Sequence, residues 1–140
     1  MIDAVYKKKV LSIDDNREVA TLLGPKIEEA GYLFESAYSG PEGLATMKKY
    51  QPDVVLLDIM MPVMDGFEVL RKIKADDQLQ NTPVIMLTAK RDKASVLRAI
   101  QCGAKDYLTK PVEFEKILER VVNIQLEIRL LNSLYILINL

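Results

Sequence analysis

Short apolar runs alternate with amphipathic segments along the whole chain, and that alternation constrains the fold more than any other feature. VLSI (Val10 to Ile13), FESAY (Phe34 to Tyr38), VVLLDI (Val54 to Ile59), VIMLTA (Val84 to Ala89) and DYLT (Asp106 to Thr109) read as strands. Three of them are nearly continuous in aliphatic and β-branched residues, the pattern of strands buried on both faces. Between them the apolar spacing changes to three and four. This predicts helices over Arg17 to Ala30, Pro41 to Tyr50, Gly66 to Ala75, Lys93 to Cys102, and from Glu113 onward. Turn signals separate the segments: Ala30-Gly31, Ser39-Gly40-Pro41, Gln51-Pro52-Asp53, Asn81-Thr82-Pro83 and Cys102-Gly103. Repeated βα units of this kind predict an α/β fold, a parallel sheet with helices on both faces. The 140 residues match the size of one domain. Gly24-Pro25 interrupts the first helical pattern and predicts a kink or a restart there, because proline removes a backbone donor.

Composition removes several classes of function. The chain has no histidine, so histidine-based catalysis and histidine metal sites are excluded. Lys+Arg is 19 against 20 for Asp+Glu, a balance that gives no electrostatic reason to bind nucleic acid directly. The one cysteine, Cys102, excludes an internal disulfide and fits a reducing compartment, and so a cytoplasmic location. It reads as a small packed residue at a helix end. The N-terminus lacks the apolar core of a signal peptide, and no uninterrupted apolar run reaches the roughly 18 residues of a membrane span.

In an open parallel sheet, ligands collect at the carboxyl ends of the strands. The first predicted strand ends in Asp14-Asp15, the third carries Asp58, the fourth ends in Thr88-Ala89, and the fifth ends in Thr109-Lys110-Pro111. Any one of these has an ordinary explanation as a turn, a cap or a solvated side chain. Together they place carboxylates, a hydroxyl and an ammonium on one rim. Clustered carboxylates stay ionised only around a cation, and an all-oxygen ligand set selects Mg²⁺ or Mn²⁺. A carboxylate there can attack phosphorus, with the cation and a lysine neutralising the transferring group.

The end of the chain follows another rule. From Phe114 the apolar positions 114, 117, 121, 124, 128, 131, 135 and 138 keep a strict three-four spacing, a coiled-coil-like seam. At about 1.5 Å per residue, the helix reaches on the order of 40 Å, more than a small domain needs. No charge follows Arg129. Residues 1–124 are therefore expected to form the domain. Residues 125–140 would form a helical extension or linker, to an output domain or a second copy as a homodimer.

IDDN (Ile13 to Asn16), LLDIMMPVMDG (Leu56 to Gly66), LTA (Leu87 to Ala89) and GAKDYLTKP (Gly103 to Pro111), with the spacings between them, resemble the receiver domain of two-component response regulators. The resemblance runs from about Lys9 to Ile124. It implies a flavodoxin-like (βα)5 doubly wound sandwich with strand order 2-1-3-4-5, an order that a member of this family illustrates in general accounts of such sheets. It implies Asp58 as phosphoacceptor. Asp14 and Asp15 would be Mg²⁺ ligands, with Asp58 and the backbone carbonyl of Met60 completing the protein's share. Lys110 would pair with the phosphoryl group and Asp58, Thr88 and Tyr107 would be the switch pair, and Pro111 would follow a cis bond. Pro62 and Gly66 would shape the loop after the acceptor. Met60 and Lys90 stand where the phosphoryl lifetime is tuned, and the apolar Met60 implies slow or moderate hydrolysis. The implied partners are a histidine kinase or phosphotransfer protein near the first helix and the loop after the fifth strand, and an output domain or downstream protein on the fourth helix, fifth strand and fifth helix.

Other readings of the same residues meet specific obstacles. A flavodoxin-like cofactor binder needs a glycine- or hydroxyl-rich loop after the first strand, where this chain has Asp14-Asp15. A haloacid dehalogenase-type phosphatase needs an Asp-x-Asp pattern there. A phosphorylation-independent interaction module would have no use for the full acidic set and Lys110.

Overall fold

The structure, a computed structural model, describes residues 7–140. Five strands and five helices alternate: β1 Lys9–Ile13, α1 Arg17–Glu29, β2 Leu33–Ala37, α2 Gly40–Tyr50, β3 Val54–Leu57, α3 Gly66–Ala75, β4 Val84–Thr88, α4 Lys93–Gln101, β5 Asp106–Thr109 and α5 Phe114–Ile138. The sheet is parallel throughout, in order β2-β1-β3-β4-β5. This is the expected flavodoxin-like topology, and the strands and helices fall within a residue or two of the predicted ones.

Alternation along each strand divides the core into two layers. Leu11, Ile13, Val55, Leu57, Val84 and Met86 face one side, where Met47 of α2, Phe67, Leu70 and Ile73 of α3 and Ala99 of α4 pack on them. Val10, Val54, Leu56, Ile85 and Leu87 face the other, under Leu23 and Ile27 of α1 and Ile117, Val121 and Ile124 of α5. Each large aliphatic side chain fully buried here contributes about 1.5–3 kcal/mol, which explains why the central strands read as unbroken apolar runs.

α1 runs as one helix through Pro25 and does not restart there. Gly24 packs closely on β2: a Cβ at that position would lie 3.0 Å from the Phe34 ring, so a side chain there would require the ring to shift by a few tenths of an ångström.

Helix caps follow the sequence. Asn16, Ser39, Asp65 and Asp92 each accept a hydrogen bond from a backbone N–H of the first turn they cap. α5 differs from the other helices in length. It is one helix of 25 residues whose buried positions end at Ile124. Beyond it Leu126, Ile128, Leu130, Leu131, Leu134 and Tyr135 are exposed. The uninterrupted charge-free run is short, but the helix as a whole is long and apolar enough, by length and composition, to cross a membrane. The expectation that no segment would pass that test counted only unbroken runs. Glu127 and Arg129 interrupt this one without making it polar overall.

Candidate functional site

Asp58 stands one residue past the end of β3, and its N–H still donates to the carbonyl of Ile13 at 3.0 Å. The ladder therefore holds its backbone while its side chain leaves the sheet. Asp14 occupies the same level after β1, fixed by its N–H to the carbonyl of Ala37 at 3.0 Å. Ligand oxygens of Asp14, Asp15 and Asp58 all lie within 4.8 Å of one another. Asp14 and Asp58 are buried and Asp15 is exposed.

Burial raises the carboxyl pKa of Asp14 above its usual value, and the charge on Asp58 adds to the rise. The Lys110 ammonium and the Asn16 N–H, which donates to Asp14 Oδ1 at 2.9 Å, act against it. The group can hold a metal ion: hard oxygen ligands, mutual repulsion and one solvent-facing member suit a divalent cation that keeps part of its water shell.

Lys110 reaches this cluster from the end of β5. Its Nζ is 2.6 Å from Asp14 Oδ2 and 3.7 Å from Asp58 Oδ2. Of the two carboxylates, the expected partner Asp58 is the more distant. The ammonium bridges both and offsets part of their repulsion. The Lys110-Pro111 peptide is cis. Met60 meets the site through its backbone, its N–H donating to Asp58 Oδ1 at 3.2 Å, while its side chain is 60% exposed.

Thr88 and Tyr107 converge on the backbone of one residue, Lys90, through the two peptide units that flank it. The Lys90 N–H donates to Thr88 Oγ1 at 3.3 Å, and the Tyr107 hydroxyl donates to the carbonyl of Lys90. Burial, with the charges of Asp92 and Asp58, raises the pKa of the Tyr107 hydroxyl above its usual value. Sequence reasoning located both side chains but not the backbone that joins them. It also missed Arg91, whose Nη2 donates to the Lys110 carbonyl at 3.0 Å and ties the loop after β4 to the loop after β5. A basic residue in a loop carries no signal of such a contact.

The loop after Asp58 is anchored firmly. Gly66 has no room for a side chain, because a Cβ there would lie 2.3 Å from the Asp58 carbonyl oxygen. Its N–H donates to the Ile59 carbonyl at 2.8 Å, and Ile59 and Met61 are buried in the core.

A family model described as the response regulator receiver domain matches residues 10–122. The chain belongs to that family. Among related receivers is that of RpaA, a DNA-binding dual master transcriptional regulator from Synechocystis sp., 38% identical over 113 residues that make up 81% of this chain and 47% of RpaA. Response regulator PleD from Caulobacter vibrioides is 37% identical over 81% of this chain and 25% of its own length. The chain thus spans about half or less of the length of these relatives. The structure of the Vibrio cholerae chemotaxis protein CheY4 superimposes with a TM-score of 0.79 at 32% identity, covering 84% of this chain and 98% of CheY4. The DrrB receiver domain, in a structure described as BeF3 activated, gives 0.74 at 32% identity over 84% of this chain and 96% of DrrB.

Proposed function

We propose that this receiver domain accepts a phosphoryl group on Asp58 from a phosphohistidine on a kinase or phosphotransfer protein. The observation that carries this reading is the meeting of Asp14, Asp15 and Asp58 within 4.8 Å under the ammonium of Lys110. An Asp58 oxygen attacks phosphorus, the bond from phosphorus to the donor imidazole breaks with its electron pair on nitrogen, and that nitrogen takes a proton from solvent as the neutral imidazole leaves. Asp14, Asp15, Asp58 and the Met60 carbonyl would hold Mg²⁺, which supplies charge neutralisation on the phosphoryl oxygens. Lys110, already between Asp14 and Asp58, moves its charge to a phosphoryl oxygen. Thr88 gives up the Lys90 N–H to donate to another, and Tyr107, held on the Lys90 carbonyl, follows through the backbone of that residue. That movement reaches the face of α4, β5 and α5, where an output domain or downstream protein would read it.

We also infer that residues 125–140 form a connecting helix, and that its exposed apolar face pairs with a second copy of the chain, as the three-four seam supports.

The test of the acceptor is labelling by phosphoramidate with Mg²⁺, located by mass spectrometry. Wild type is expected to take one phosphoryl group on Asp58. Asp58→Asn should lose it by at least about a hundredfold, together with beryllofluoride binding. Undiminished labelling of the variant would overturn the assignment.

A further inference from the structure

Lys110 carries the ammonium that lies across Asp14 and Asp58. A lysine stem is flexible, so the place where its backbone is fixed decides what the ammonium reaches. The Lys110 N–H donates to the Thr88 carbonyl at 2.8 Å, which holds the entry side of the residue on β4. The exit side has no such support from its own loop. Pro111 has no N–H to donate. Glu113 precedes α5 without a side-chain cap bond, whereas α1 to α4 all have one. A cleft lined by Pro111, Val112, Glu113, Lys116 and Arg120 runs beside this stretch, so packing does not back it on that face.

Among the described residues, the one hydrogen bond to the Lys110 carbonyl comes from Arg91 Nη2, at 3.0 Å. The neighbouring Lys90 is engaged with Asp92 at 3.1 Å, while the Arg91 guanidinium forms no ion pair among the described residues. Arg91 also directly follows Lys90, the residue whose backbone Thr88 and Tyr107 share. It therefore joins the loop that those two side chains grip to the lysine that faces the acidic rim.

We propose that Arg91 is a positioning residue for phosphoryl transfer: by clamping the Lys110 carbonyl, it holds the Lys110 ammonium across Asp14 and Asp58. The inference rests on the acceptor role of Asp58. Arg91 acts through Lys110 and not on the phosphoryl group itself. Misplacing a reacting group by about an ångström costs on the order of a hundredfold in rate, and with the Thr88 tie intact the loss is smaller. The Arg91 contact is exposed, so it adds little to stability, and its loss is read in rate. A second effect has the opposite sign. An ammonium 2.6 Å from Asp14 Oδ2 competes with a divalent cation for that oxygen. Loosening the clamp thus slows phosphoryl transfer and strengthens cation binding, whereas general damage to the rim weakens both.

The test compares wild type with Arg91→Ala and Arg91→Lys. Labelling by phosphoramidate at saturating Mg²⁺ should slow about tenfold in Arg91→Ala. It should return to within about threefold of wild type in Arg91→Lys, whose ammonium donates to a carbonyl as well. Mg²⁺ affinity, measured by calorimetry without phosphodonor, should rise at least about twofold in Arg91→Ala. Melting temperatures should agree within about two degrees. An unchanged labelling rate would overturn the clamp, as would an Mg²⁺ affinity that stays level or falls. A loss that Arg91→Lys does not relieve would overturn it too, since one donated hydrogen bond is all the clamp requires. A large drop in melting temperature would make Arg91 a structural residue instead. Failure of phosphoramidate to label wild type would strike the acceptor assignment, and the Mg²⁺ affinity would still decide whether Arg91 holds the ammonium in place.

Discussion

The two ends of this molecule break the rule of burial in opposite senses. At the carboxyl edge of the sheet, two carboxylates are buried where apolar atoms are normally found. At the far end of α5, leucines and isoleucines stand in water where charges are normally found. The first region is held by geometry: the N–H groups of Asp14 and Asp58 are tied to neighbouring strands, and an ammonium lies across both acids. The second is held by helix propensity alone. The contrast separates two kinds of incompleteness. On the proposed reading, the acidic rim would be completed by a small cation and a phosphoryl group. The helix end is an open apolar face, which the proposed second copy would cover.

Removing the ammonium gives the strongest test of the first half of that contrast. Lys110→Ala leaves Asp14 and Asp58 facing one another with no cation. Breaking a fully buried ion pair costs about 3–5 kcal/mol, and partial exposure of Lys110 reduces the expected loss to about 2 kcal/mol in chelator. Urea denaturation measures it. Added Mg²⁺ should restore most of the loss, because a divalent cation on the carboxylates replaces the missing charge. A variant that is as stable as wild type in chelator would show that the ammonium does not offset the repulsion.

The second half is tested by removing the projecting helix. A chain ending at Glu127 keeps Ile124 in the core and the 2.9 Å ion pair of Lys105 with Glu127. Its unfolding free energy at high dilution should match the full chain within about 0.5 kcal/mol, because the deleted side chains are exposed. Sedimentation should find the full chain as a dimer and the shortened one as a monomer. Two monomers would remove the second copy as the occupant of the apolar face, and a large loss of stability would mean that the extension packs on its own domain.

The sequence reveals these two regions to different depths. Strand identity was legible because β3 and β4 are buried on both faces and show it in VVLL and VIMLT. The acidic rim was legible because topology places strand ends together and the residue types at those ends are unusual. The contacts that tune the rim were not. Lys110 lies 2.6 Å from Asp14 and 3.7 Å from Asp58, a difference that residue types at strand ends do not encode. The convergence of Thr88 and Tyr107 on Lys90 runs through main-chain atoms, which carry no residue signal. α5 was legible as a seam, but the seam cannot say where packing stops. The point is Ile124, the last buried residue of the helix.

The smallest expected effect concerns a carboxylate that obeys the rule both regions break. Asp92 is exposed at the start of α4, where its oxygens accept from the Ser95 N–H and hydroxyl and lie 3.1 Å from the Lys90 ammonium. The Ser95 hydroxyl, then Lys90, hold its pKa down at about 2. A lowered acid stabilises the fold above its unfolded value and loses that contribution as pH falls through the folded one. Asp14 has the opposite sign. Its raised pKa means that the folded state binds the proton more tightly, so this carboxyl costs stability at neutral pH and the cost fades on acidification. Asp92→Asn keeps a capping oxygen and removes the charge. Its melting temperature should lie slightly below wild type at neutral pH, and the two acid-titration curves should converge as pH falls from about 4 to about 2, the window between the unfolded and folded values of Asp92. A gap that persists unchanged below that window would assign the effect to lost cap geometry instead of charge.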